Sequence, residues 1–185
     1  MAWEFDPAHS QIEFSAKHMM FTTVKGRFDK FSGIFELDEQ HPASSRVDVT
    51  IDAASLTTGV EYRDNHLRSG DFLDVEKYPT ITFKSTQVTL EGEHKARVTG
   101  DLTIHGVTRP ITLDVTREGQ YKDLQGQRRE AYSANATISR KEWGLEWNVA
   151  LESGGWLVGD AIKIAIETEV LEPAATPAAA GTQSN

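Results

Sequence analysis

The chain has 185 residues, enough for one domain with a sizeable core. Its 28 acidic residues against 19 Lys and Arg give a net charge of −9, which argues against nucleic acid and anionic membrane surfaces as partners. There is no cysteine, so disulfides, thiolate nucleophiles and cysteine-ligated zinc are excluded.

The N-terminus, Met1-Ala2-Trp3-Glu4-Phe5-Asp6, enters a strand at once and has neither a basic region nor an apolar stretch. No secretory signal is expected, and a cytoplasmic location follows unless a trimmed N-terminus hides a periplasmic one. No apolar run approaches the roughly 20 residues that span a bilayer, so stable membrane insertion is not expected.

Apolar and polar residues then alternate with a period of two, the signature of half-buried strands. The first strand runs from Ser10 to His18 with Ile12, Phe14, Ala16 and His18 on one face. The second runs from Val24 to Leu37. Its apolar parity switches between Phe28 and Phe31, which predicts a bulge near Lys30 to Ser32. Strand three is Arg46 to Asp52, with Val47, Val49 and Ile51 inward. A short helix through Asp64 to Arg68 is expected next, capped from Ser55-Leu56-Thr57-Thr58. Strand four starts after Pro79 with Ile81 and Phe83 and continues through Val88 and Leu90 to a turn at Glu91-Gly92.

Strand five, Ala96 to His105, puts Ala96, Val98, Gly100, Leu102 and Ile104 on one face. Gly106 to Pro110 reads as a turn. Strand six carries Ile111, Leu113 and Val115, and strand seven Tyr132, Ala134, Ala136 and Ile138. Between them, Arg128-Arg129 reads as a solvated turn. The stretch Arg140 to Gly159 holds three of the four tryptophans, with Trp143 a candidate plug for one barrel end. Strand eight is Ala161 to Leu171. The last residues, 173–185, contain only small and polar residues with no charge, so a disordered tail is expected behind a barrel domain of residues 1–172.

Eight such strands with one short helix between strands three and four predict an all-β fold, an antiparallel barrel closed on itself. At this size the interior is either packed with side chains or holds one small ligand. Small inward residues (Ala16, Gly26, Gly100, Ala134, Ala136) opposite Phe14, Phe28 and Phe83 favour unfilled volume, but they would also suit the tapered ends of a packed barrel. A ten-residue strand tilted near 40° leaves about 25 Å along the axis, a length that suits a long, thin guest.

Several segments occur together in a set order. They are Trp3 to Ser10, Gly26-Arg27-Phe28, Phe31-Ser32-Gly33, Ser55 to Thr58, Arg63 to Leu67, Asp71-Phe72-Leu73, Tyr78 to Phe83, Gly100 to Thr108 and Ser139 to Gly144. In this order and spacing the chain resembles the YceI-like family of bacterial lipid-binding proteins, from residue 3 to about 171. The resemblance implies a lipocalin-like eight-stranded barrel that holds a polyisoprenoid chain, such as an isoprenoid quinone, and some family members form dimers, so a homodimer is expected as an option. Many members are exported, which departs from the cytoplasmic location expected from this N-terminus.

With that guest in view, the apolar lining is expected from Ile12, Phe14, Ala16, Phe28, Val49, Ile51, Phe83, Leu102, Ile104, Leu113, Ala134, Ala136, Ile138 and Ile164. His18, Arg63, Asp64 and His66 are the candidates for a polar head at the mouth. Each has a structural alternative: Arg63 and Asp64 anchoring the helix, His18 satisfying a local carbonyl. A salt bridge from Arg140 to Asp64 would close the same end. No histidine pair has zinc-protease spacing, no Gly-x-Ser-x-Gly elbow or phosphate loop occurs, and no metal or required cofactor is expected beyond the lipid itself. Carriage of a lipid without catalysis is the leading reading. An interaction module with incidental lipid, or an enzyme using Arg63, Asp64 and His66 as acid–base groups, are the rivals.

Overall fold

The computed structural model describes residues 2–173. β1 (Ala2–Phe5) and β2 (Gln11–His18) are separated by a 3-10 turn at Pro7–His9. β3 (Thr22–Phe28) and β4 (Phe31–Glu36) are separated only by Asp29 and Lys30. β5 (Arg46–Asp52) and the short β6 (Leu56–Thr57) lead into α1 (Glu61–Arg68). Then come the long strands β7 (Thr80–Leu90), β8 (Lys95–Ile104), β9 (Val107–Lys122), β10 (Arg128–Ser139) and β11 (Val158–Leu171).

All pairings are antiparallel, and β1 pairs with both β4 and β11, which closes the sheet. β2 continues the line of β1 along β11, β3 continues β4, and β6 continues β5. The strands therefore lie on eight lines, and the expected eight-stranded antiparallel barrel is the fold observed. One end carries α1, the β2–β3 hairpin and the segment 140–157. The other carries the β7–β8 and β9–β10 hairpins.

Three local expectations need correction. The predicted bulge in strand two is a full break. Asp29 and Lys30 turn a corner, held by the Asp29 amide on the Ser55 carbonyl (3.2 Å) and the Lys30 amide on Ser55 Oγ (3.0 Å). The turn expected over 106–110 shrinks to His105 and Gly106, both at positive φ (52° and 72°), as a tight hairpin requires. Pro110 stands inside β9 because the β10 ladder starts only at Asp114, so its missing N–H faces no strand. The helix begins at Glu61 with Val60 as its cap and no capping side chain. Thr57 and Thr58 bind the Asp64 carboxylate instead. The expected tail lies, apart from Pro173, outside the described residues.

Two of the glycines counted as empty volume are not empty. The Phe14 ring lies over Gly26, and the Phe83 ring stands 2.5 Å from where a Gly100 Cβ would be. Trp143 does plug one end. It is fully buried in the 3-10 turn Arg140–Trp143, and its Nε1 donates to the Leu102 carbonyl at 3.1 Å. That places it where β9 and β10 no longer pair. Trp143→Phe keeps most of the bulk and leaves the Leu102 carbonyl without its donor. The expected cost is about 1–3 kcal/mol, readable as a shift in the urea midpoint with an unchanged slope.

Candidate functional site: an apolar bore with two polar ends

A cavity of about 1000 Å³ runs through the barrel. Its wall follows from strand parity, since the inward positions of the long strands are apolar along the middle of the barrel. β2 contributes Ile12, Phe14 and Ala16, and β3 contributes Phe28. Val49 and Ile51 enter from β5, and Phe83 from β7. Leu102, Ile104 and Leu113 line it from β8 and β9. Ala134, Ile138 and Ile164 complete the wall from β10 and β11. Ala136 is the exception to the expected lining. It packs against the core opposite Ile164 and is not part of the cavity wall.

The α1 end is where His18, Arg63 and His66 reach the cavity. Arg63 Nε donates to Thr58 Oγ1 at 2.7 Å and an Nη to the Thr58 carbonyl at 3.2 Å, both neutral acceptors. Among the described residues it has no carboxylate within ion-pair distance. His66 Nε2 meets Asp71 at 2.9 Å, and its ring stands edge-on to Trp147 (4.5 Å) and Phe72 (5.1 Å).

Asp64 does not join them. It is buried, does not line the cavity, and accepts from the Thr58 amide (2.8 Å), Thr58 Oγ1 (2.5 Å) and Thr57 Oγ1 (3.2 Å). Burial pushes its carboxyl up, but these donors outweigh it and hold the group below the usual range. Its role is to fasten the loop before α1 to the helix.

Arg140 does not reach Asp64 either. It is buried, donates to the carbonyls of Gly159 (3.0 Å), Leu145 (2.5 Å) and Trp147 (2.9 Å), and faces Asp160 at 3.5 Å. Its Nε and Nη1 are taken by carbonyls of the segment 144–157 and of Gly159 at the start of β11, which ties the guanidinium to that segment and not to Asp64. Its Nη2 is buried at the cavity wall without a hydrogen-bond acceptor.

The opposite end carries a polar group that the sequence reading did not find. Glu130 is 1% exposed and lines the cavity. Arg117 approaches it with Nε and Nη2, both at 3.1 Å, Arg128 with Nη2 at 2.6 Å, and Tyr132 donates its hydroxyl at 2.5 Å. Arg128 also pairs with Glu39 and stacks over Trp3, 5.2 Å from the ring centroid. Burial and the Glu130 carboxylate together push the Tyr132 phenol far up, so it stays a donor at any physiological pH.

The solvated turn expected at Arg128-Arg129 is thus two buried-side ion-pair hubs. Arg129 holds Asp6 (2.5 Å), Asp123 (3.1 Å) and Glu169 (3.3 Å). Asp6, His9 and Glu169 bring their ligand atoms within 4.8 Å of one another, but Arg129 already supplies that cluster's cation. Burial raises the Asp6 carboxyl. Hydrogen bonds from His9, Arg129 and the Ala8 amide more than reverse this and hold it at about 2.

A closed antiparallel barrel around a long apolar bore belongs to the class of barrels wide enough to hold a ligand. Residues 3–170 match the YceI-like domain. A UPF0312 protein of Vibrio parahaemolyticus is 46% identical over 138 residues, 75% of this chain and 73% of its own length. One from Pseudomonas aeruginosa PAO1 is 43% identical over 141 residues, 76% and 73% of the two lengths. Among solved structures, BcnA of Burkholderia cenocepacia superposes with a TM-score of 0.77 at 26% identity, over 90% of this chain and 99% of its own. A polyisoprenoid binding domain from Saccharophagus degradans shares the fold (TM-score 0.67, 19% identity, 92% and 98% covered). The chain belongs to the YceI-like family.

Proposed function

We propose that this protein is a non-catalytic carrier of one long polyisoprenoid lipid, an isoprenoid quinone or a polyprenyl compound, held inside the barrel. The observation that carries the reading is the apolar bore. Every 100 Å² of hydrocarbon buried in it contributes about 2.5 kcal/mol before ordering costs. The Saccharophagus domain of the same fold, described as polyisoprenoid binding, supports the guest's chemistry.

The polar head of the guest belongs at the α1 end. The Glu130 cluster at the far end has its carboxylate already engaged by two arginines and a phenol. At the α1 end, Arg63 carries a cation bound only to neutral oxygens, and Arg140 Nη2 is a buried donor without a hydrogen-bond acceptor, with the Asp160 carboxylate 3.5 Å away. A quinone carbonyl or a phosphate would satisfy both. Among the described residues no nucleophile–base pair lines this mouth, and the Asp64 carboxylate is spent on two threonines, which favours carriage over turnover.

Native mass spectrometry after gentle purification is expected to show the protein with one co-purified lipid. Finding the bare mass alone, together with no uptake of an added long-chain isoprenoid quinone, would overturn the proposal.

A further inference from the structure

We infer that the rim beside the cavity mouth is a docking surface for a lipid bilayer, onto which the hairpin tip Met19–Phe21 inserts. This rests on the carrier reading, because a bilayer is where such a guest dissolves.

The β2–β3 hairpin is tipped by Met19, Met20 and Phe21, which are 45%, 60% and 85% exposed. Met19 and Met20 hold φ of 48° and 67°, a turn that glycine or asparagine would make at lower cost. Three large apolar side chains at a strained, water-facing tip contribute nothing to the core. The tip is not alone. The Met19 amide bonds the Leu157 carbonyl at 2.8 Å, and Met20 Sδ lies against Gly155, which sets the hairpin beside the exposed Trp156 and Val149.

The patch is continuous with the mouth. His18 and Leu157, the residues directly behind it, line the cavity. On the helix side of the same mouth, Val60 and Tyr62 line the cavity and are 47% and 85% exposed.

Charge points to the same occupant. The chain is acidic overall, yet from Phe14 to Gly26 it has no Asp or Glu and carries Lys17, His18 and Lys25, while Arg27, farther along β3, is paired with Asp29. An apolar and aromatic tip flanked by cations is the pattern of a segment that lies in a membrane interface. Glu61 and Glu152 on the neighbouring segments are exposed and limit the attraction to anionic lipid, so apolar insertion carries most of the binding.

The test is flotation with two kinds of vesicle, phosphatidylcholine alone and phosphatidylcholine with phosphatidylglycerol, neither containing an isoprenoid. The wild-type protein is expected to float with both and more strongly with the second. A Met20→Ser/Phe21→Ser variant is expected to lose at least about tenfold in vesicle affinity. Its thermal midpoint and its capacity for isoprenoid quinone delivered from detergent are expected to be unchanged, since neither side chain faces the cavity. No flotation on either vesicle, or equal flotation of the variant, overturns the inference and leaves the patch to a protein surface. Flotation by a protein that takes up no quinone would keep the dock and sink the carrier reading instead.

Discussion

Replacing Glu130 with alanine is expected to destabilise the barrel by about 3–5 kcal/mol, far more than an ordinary strand substitution. The reason is the asymmetry of buried ion pairs. While Glu130 is present, its two oxygens take three guanidinium contacts and a phenol, and the cluster is nearly neutral together with Glu39. Without it, Arg117 and Arg128 face each other at the inner end of an apolar bore, with side chains only 32% and 25% exposed. Two like charges then share a poorly solvated space, and Tyr132 loses its acceptor.

At roughly 2–4 °C per kcal/mol for a domain of this size, the melting temperature falls by about 10 °C. Tyr132→Phe removes one charge-assisted hydrogen bond and is expected to cost about 1.5–3 kcal/mol. The triple change Arg117→Met, Arg128→Met, Glu130→Leu removes every charge at once, and much of the loss is expected to return. Urea titration of the three variants decides the matter. If Glu130→Ala unfolds within 1 kcal/mol of wild type, the cluster is water-filled and does not close the barrel.

The contrast between what could and could not be read in advance is physical. Strand parity is a local property, so β5 matches its expected span of Arg46–Asp52, and the inward positions of β2 and β7, and those of β8 apart from Gly100, face the cavity. Breaks between strands depend on partners distant in sequence. The corner at Asp29-Lys30 is made by Ser55, twenty-five residues on, and no local pattern shows that.

The Glu130 cluster has a signal in the sequence pattern. Counting back by twos from Ile138 through Ala134 and Tyr132 reaches Glu130 and Arg128, and counting forward from Val115 reaches Arg117. Charged residues on the inward parity of two adjacent strands announce a buried network. The local pattern of an adjacent Arg-Arg pair fits a solvated turn equally well, and only the strand register tells the two apart. At the other end, Asp64 looked like part of a ligand-binding group because it sits between Arg63 and Asn65-His66. On a helix, consecutive residues point about 100° apart, so Arg63 and His66 can face the mouth while Asp64 turns back to Thr57 and Thr58.

Filling the bore at its waist is expected to separate ligand binding from stability. Ala134 lines the cavity midway along β10, paired with Val115 on one side and Ile166 on the other. Ala134→Trp projects an indole across the bore from a wall that now holds a methyl. A guest stopped at that point forfeits on the order of 100 Å² of buried chain, about 2.5 kcal/mol, so affinity for a long-chain isoprenoid quinone is expected to fall by about a hundredfold. In a packed core the same change would force side chains off their rotamers and cost about 1–3 kcal/mol. Here the ring enters space that is already open and gains contacts with the wall, so the ligand-free protein is expected to be as stable as wild type or slightly more so. Two measurements on one variant therefore suffice: a quenching titration for the quinone and a urea midpoint without it. Loss of affinity at unchanged stability is the signature of a hollow barrel. A drop of 1–3 kcal/mol with affinity retained would mean that the bore closes up in solution and that the guest binds elsewhere.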